Sequence, residues 1–277
     1  MKSLMLKSLT ITTLLSSSLF ALNIDKKVLS FEKHRIDKNP NIKLKNIKLA
    51  FKKTLQDNWV GYVFKIDLDL KGKNIKTNDI IFSNGKYISE DLKKLNGFSY
   101  KKIMHPVLDS RYYSDEHLIA GSKNAKHKLV LFSDPLCPIC TEDTPQIIKD
   151  VQENPNIFAL YYISFPLNMH PTAKTIAKAA LALRAKNFKN IDYKVYTAKL
   201  DTYFDPYKNK NQKKSLDALN KVLGTNLTIK EINSLLLNNK IKNDIKLAEE
   251  AFVNGTPTLF LDGEVDNTRD KYKQYIK

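Results

Sequence analysis

The chain contains only two cysteines, and they stand in a Cys-x-x-Cys arrangement, Cys137-Pro138-Ile139-Cys140. Directly before them, Leu129–Phe132 is a short continuous apolar run, the pattern of a strand buried on both faces. A helical pattern through Ile147, Ile148 and Val151 follows. Asn154-Pro155-Asn156 breaks it, and Ile157–Phe165 reads as a second strand, so the cysteines open the helix of a β-α-β unit. Two cysteines at this spacing on a first helical turn can close a small disulfide ring. The first thiol is expected to point outward and to feel the partial positive charge of unpaired backbone N–H groups, which makes Cys137 a nucleophilic thiolate near neutral pH. Pro138 suits the first turn, where its missing N–H costs nothing, and Cys140 is expected to be the buried resolving thiol. An inert structural disulfide is the plainer alternative, but closing so small a ring removes little chain entropy. A zinc site fails on ligands: there is no second cysteine pair, and His105, His117, His127 and His170 lack ligand spacing. Neither a metal nor a cofactor is expected, and Cys137 and Cys140 read as a redox-active pair.

The first 22 residues bear on the compartment. Lys2 and Lys7 give a basic start, Leu9–Leu22 is an uncharged apolar and hydroxyl-rich run, and Ser18–Ala21 offers a small-residue exit. This is the pattern of a cleavable signal peptide, and the run is short for a membrane span. Leu19 sits where a smaller residue is preferred, which leaves an uncleaved anchor as the alternative. The expected destination is an oxidising, periplasmic compartment, where a lone Cys-x-x-Cys needs a reason to exist.

The remaining chain divides into two patterns. Residues 23–55 are rich in Lys and Asn and specify little. From Trp59 to Leu70 the apolar residues alternate, predicting a strand with one buried face. Ile80–Phe82, Asn84-Gly85 and Tyr87-Ile88 read as a hairpin. These mark a small antiparallel domain over residues 23–96, with 97–124 as a partly helical linker. Residues 125–277 form the second domain. Within it, Ile176, Ala179, Ala180 and Leu183 give an amphipathic helix. Thr228 and Glu231 give a capping box ahead of Ile232, Leu235 and Leu236. Residues 240–252 are again helical, Thr258–Leu261 is a strand, Asp262-Gly263 a turn into a last strand, and residues 270–277 a short terminal helix. The helical block, about 171–250, interrupts the β-α-β and β-β parts.

Gly255-Thr256-Pro257 opens the strand after that block. A cis bond before Pro257 would place the Thr256 backbone beside the sulfurs, free to pair with an extended substrate chain. The run Phe132–Cys140 resembles the active-site segment of periplasmic disulfide isomerases of the DsbC/DsbG type, and Gly255–Leu259 resembles their cis-proline loop. The stretches Phe165-Pro166 and Pro171-Thr172-Ala173 and the domain layout are also similar, closely over about residues 125–265 and only in architecture before that. The resemblance implies a thioredoxin-like catalytic domain with a helical insertion, preceded by a small antiparallel N-terminal dimerisation domain that builds a V-shaped homodimer. It implies that Cys137 attacks, Cys140 resolves, and Thr256 and Pro257 line the substrate cleft. The dipeptide Pro138-Ile139 does not distinguish isomerase from oxidase.

Function is therefore expected to be thiol:disulfide exchange: isomerising or reducing wrong disulfides in exported proteins with cysteines, with a membrane redox partner resetting the pair. A DsbA-like oxidant on the same scaffold is the second reading, and a non-enzymatic binding module with an inert disulfide the third. The net charge of +17, from 46 Lys+Arg against 29 Asp+Glu, is spread along the chain and reads as a lysine-rich surface. With no phosphate-cradling glycine loop and no aromatic platform in the basic stretches, nucleic acid is not an expected partner.

Overall fold

The computed structural model describes residues 23–276. The expected signal peptide, residues 1–22, lies outside the described residues. The chain separates into two compact units, with the division between Met104 and His105, and each is described by itself.

The first unit is a helix on a four-stranded antiparallel sheet. Helix α1 spans residues 23–37, and the strands β1 (Ile42–Thr54), β2 (Val60–Leu70), β3 (Lys73–Ser83) and β4 (Ile88–Ser89) lie side by side in chain order. Val28 and Ile36 of α1 pack with Ile47, Tyr62, Phe64, Ile66 and Ile81. Arg35 ties the helix down by pairing with the fully buried Glu32 and with Asp79 and Glu90.

The lysine-rich stretch that specified little holds α1 and the longest strand. In β1 the register with β2 shifts at Leu44–Asn46 and again at Leu49–Phe51, and the alternation breaks at the first of these, where Lys45 and Asn46 are both exposed. A bulge breaks period two at such points, which hides the strand from a pattern search. The tightest hairpin is Lys71-Gly72, with φ of 52° and 84° at its two loop residues, the handedness that matches strand twist. At the expected Asn-Gly hairpin only Gly85 takes positive φ. Asn84 acts instead through its side chain, whose Oδ1 accepts from the Lys86 and Tyr87 N–H groups. The single buried face expected of β2 also needs correction. Tyr62, Val63 and Phe64 are all buried, as is Met104, whose Sδ lies 2.4 Å from where a Cβ on Gly61 would stand.

The second unit is a five-stranded sheet in the order β5-β7-β6-β8-β9, formed by β5 (Leu118–Gly121), β6 (His127–Ser133), β7 (Phe158–Ser164), β8 (Thr258–Leu261) and β9 (Glu264–Asp266). Strands β6 and β7 are parallel and the other pairs antiparallel. The crossover between β6 and β7 is α2 (Pro138–Glu153). Leu129 and Leu131 of β6 pack with Ile147, Ile148 and Val151 of α2 and Leu259 of β8. The helices α3 (Ala173–Ala185), α4 (Ile191–Tyr196), α5 (Gln212–Leu223), α6 (Ile229–Ile232) and α7 (Leu235–Glu250) stand between β7 and β8 and build their own core around Ile176, Leu183, Val195, Leu216, Leu219 and Ile232. This is a thioredoxin-like domain with a helical insertion.

Three local expectations change. Part of the stretch read as linker is the edge strand β5, paired with β7; its four residues are too few to show a period. The capping box at Thr228 and Glu231 forms, but the helix it starts ends after Ile232. Ser234 then caps α7 anew, leaving Leu235 and Leu236 exposed rather than in the core. The terminal helix is a 3-10 turn, Lys271–Tyr275, held by the buried Tyr272, which donates to Asp150 at 2.6 Å.

Candidate active site

Strand β6 delivers the chain to the site. After Ser133, a turn through Asp134 ends at Cys137, whose N–H donates to the Asp134 carbonyl at 3.1 Å. Cys137 is the N-cap residue of α2, in extended conformation, and Pro138 occupies the first turn, where no intrahelical N–H is needed. From the end of the insertion, Gly255 leads into Thr256 and Pro257, and the bond between these two is cis. The Cys137 thiol donates to the Thr256 carbonyl at 3.5 Å. The Thr256 hydroxyl is buried with no nitrogen or oxygen partner among the described residues and faces both sulfurs. The structure thus brings Cys137, Cys140, Thr256 and Pro257 to one end of the sheet.

Both cysteines are free thiols, and their order of depth is as expected: Cys137 is 6% exposed and Cys140 not at all. Cys137 is nonetheless less outward than a helix N-terminus alone suggests, because it joins the apolar cluster beneath α2. The two thiols are strongly unlike. The Cys140 S–H, donated to the Cys137 sulfur, is the main reason that the Cys137 thiol falls to about 6. Burial works against it, and the Cys140 backbone N–H and Thr256 add support, while the Asp134 charge opposes. The helix N-terminus therefore contributes as expected, through that N–H, but second to the neighbouring thiol. Burial pushes the Cys140 thiol far up, and donation to Cys137 raises it further.

This asymmetry predicts the pH profile of alkylation. The rate at Cys137 should rise with a midpoint near 6, and Cys140→Ala should move the midpoint upward by removing the S–H donor. A wild-type midpoint at the free-thiol value of about 8.5 would contradict the arrangement.

Several residues that motif reading passed over complete the site. Asp134 is fully buried, and its carboxylate accepts from the Leu136 and Leu167 N–H groups and from His170 Nδ1, each at 2.8 Å. It thereby ties the turn before Cys137 to the loop after β7. His170 resists charging through burial, but Asp134 and the Cys137 sulfur outweigh this and raise its pKa. The Ser133 hydroxyl faces Cys140, where it favours the thiolate, and accepts from Tyr196 Oη at 2.7 Å. Tyr196 comes from α4 in the insertion. Asp134 and Ser133 lie within the motif run, and His170 stands in the stretch beside Pro171, so a search for buried polar residues there could have found them. Tyr196 carries no sequence signal. A cavity of about 530 Å³ flanks the start of α2, with Leu136, Pro138, Tyr196 and Leu200 among its walls. The described residues contain no cluster of side chains able to hold a metal ion.

Residues 114–277, well over half the chain, match the sequence model of a family described as thioredoxin. No curated protein sequence matches the chain. Solved structures with similar folds include a periplasmic thioredoxin-like protein from Salmonella enterica serovar Typhimurium, 20% identical, with TM-score 0.45, covering 57% of this chain and 87% of that one. BdbD from Bacillus subtilis is 14% identical, with TM-score 0.46, over 62% of this chain and 92% of its own. ScsC from Proteus mirabilis is 19% identical, with TM-score 0.44, over 56% and 74%.

Proposed function

The chain belongs to the thioredoxin family and is a thiol:disulfide oxidoreductase, and from that premise we propose that it acts on exported proteins with cysteines, isomerising or reducing their incorrect disulfides. The observation that carries thiol exchange, the chemistry common to both directions, is the unlike pair: a Cys137 thiol lowered to about 6 above a Cys140 thiol raised by burial. Cys137 attacks a client disulfide as the thiolate, forming a mixed disulfide and releasing one client thiolate. A client thiol, or Cys140, then attacks that mixed disulfide: the first rearranges the client, the second reduces it and leaves Cys137–Cys140 oxidised. Thr256 and Pro257 line the place where the client chain lies extended. The signal-like N-terminus supports a periplasmic location, and a membrane redox partner would return the pair to its working state. We assign the N-terminal unit to a homodimer of the DsbC/DsbG type, because a domain this small buries a smaller share of its surface alone than a large one does. The second reading, a DsbA-like oxidant, draws support from the same lowered thiol, since a stabilised thiolate favours the reduced form and makes the disulfide more oxidising.

The test is a pair of assays with the resting redox state trapped in cells. Isomerase or reductase work predicts a reduced resting pair, reactivation of a scrambled-disulfide substrate, and a dimer in sedimentation. An oxidised resting pair on a monomer that oxidises reduced substrates would establish the oxidant instead, and neither activity would overturn both.

A further inference from the structure

Resolution by Cys140 poses a problem that Cys137 does not share. Cys140 must attack as a thiolate, yet it is fully buried and its neighbourhood holds its proton on. Among the groups that act on its sulfur are Cys137, Thr256, the Asp134 backbone N–H and the Ser133 hydroxyl, with the Tyr162 and Tyr196 phenols close enough to feel its charge. The Asp134 carboxylate is already engaged by two backbone N–H groups and His170. Ser133 is different, because it is the end of a buried line of hydroxyls. Tyr196 Oη donates to Ser133 Oγ at 2.7 Å, and Tyr162 and Tyr196 share a hydrogen bond at 2.9 Å. Thr144 Oγ1 stands 3.1 Å from Ser133 Oγ. Burial raises both phenols, so they stay neutral donors. Beyond them lie Arg184, whose guanidinium sits 5.7 Å over the Tyr162 ring, and its ion-pair partner Asp192.

We propose that Ser133 is a catalytic residue for the resolving step, donating its hydroxyl hydrogen to Cys140 Sγ as charge develops there, and that Tyr196 from the helical insertion is the positioning residue that aims it. The inference rests on the thiol-exchange reading above. With Tyr196 supplying a hydrogen to Ser133 Oγ, the serine's own hydrogen has two takers, Thr144 Oγ1 and the sulfur. It turns to the sulfur when that sulfur becomes the stronger acceptor, and donors lined up in this way reinforce one another. In the step itself, Cys140 Sγ attacks Cys137 Sγ of the mixed disulfide. The Cys137–client S–S bond breaks and the Cys137–Cys140 bond forms. The client thiolate leaves with the electron pair and takes up the proton that Cys140 gives up, so the products are the protein disulfide and a client thiol. No external oxidant or base is consumed. The insertion thus supplies a group to the chemistry besides covering the domain.

The experiment uses the reduced full-length protein and a chromogenic aryl disulfide, 5,5′-dithiobis(2-nitrobenzoate), in stopped flow. Two coloured thiolates should leave wild type: a first, reagent-dependent burst from attack by Cys137, and a second, reagent-independent phase from resolution by Cys140. Ser133→Ala and Tyr196→Phe should slow the second phase about tenfold, as expected for loss of a hydrogen bond to a charged acceptor, and move its pH midpoint upward. The first phase should stay within about twofold, and Ser133→Thr, which keeps the hydroxyl, should restore the second. If Tyr196→Phe does not fold, Ser133→Ala and its Thr rescue carry the test. A second phase at wild-type speed in the variants would overturn the proposal while leaving the exchange reading intact. Equal slowing of both phases would also overturn it, as loosened structure. Failure of wild type to release two thiolates would instead remove the exchange reading on which the proposal stands.

Discussion

Replacing Cys140 with Ala should convert the protein into a trap, with clients accumulating as mixed disulfides on Cys137, whereas Cys137→Ala should accumulate none. The order follows from depth and charge. Cys137 is the shallower thiol and the one lowered to about 6, so it should attack first and become joined to the client. Cys140 lies below it, fully buried, and should release the client by attack within the same molecule. Such attack has an effective concentration of about 10⁵ M or more when geometry is good. Without it, release depends on external thiols and falls to about the seconds-to-hours range of uncatalysed exchange. Non-reducing gels should show higher-mass adducts with Cys140→Ala that collapse on adding reductant. Adducts of equal intensity with Cys137→Ala would reverse the assigned roles.

Asp134→Leu should cost about 3–5 kcal/mol of stability, the range for removing one partner of a buried charged pair. Asp134 is fully buried and His170 2% exposed, so the substitution strands the His170 ring and two backbone N–H donors, at Leu136 and Leu167. The cost should depend on pH. The folded-state pKa of His170 is raised, so the stability from its protonated form is fully present below its unfolded pKa of about 6.5. It is lost as pH rises through the higher folded value. The gap between wild type and variant should therefore narrow with rising pH, without closing, because the backbone donors remain stranded. The same variant should lower the Cys137 thiol further, since the Asp134 charge opposes its thiolate. Urea unfolding between about pH 5 and 9, with the alkylation profile alongside, checks both. A loss under about 1 kcal/mol, or a gap that widens with pH, would show that Asp134 is not the hub of the turn.

What was legible in the sequence depended on whether a residue's role is local. The apolar run of β6, the Cys-x-x-Cys at the start of α2 and the Thr256-Pro257 loop could be read because strand burial, helix caps and proline act over a few neighbours. The folded structure places these three together. The stretch holding α1 and β1 could not be read. Lysines fill its solvent face, and the first of two register slips breaks its alternation, so pairing with β2 is what reveals the strand. Tyr196 illustrates the limit at the site. Its helix has six residues, too short for a period, and its hydroxyl matters because the insertion packs back onto Ser133, 63 positions away. From the sequence His170 stands out only as a candidate metal ligand. Its actual partner, Asp134, lies 36 positions upstream, and no spacing rule links two loops at the same sheet end. The lowered Cys137 thiol was expected from the helix N-terminus. The larger cause, the Cys140 S–H, depends on how the first turn is wound.

The central claim is that Cys137 and Cys140 form an exchangeable redox couple, and equilibrium titration in glutathione buffers tests it most directly. The oxidised fraction, read after acid quenching and alkylation, should follow one two-electron transition. Because the Cys137 thiolate is stabilised, the midpoint should fall between about −270 and −120 mV, the span from thioredoxin to the strongest thiol oxidants. A midpoint below about −300 mV, the range of structural disulfides, or no Cys137–Cys140 bond at any buffer ratio, would contradict the account.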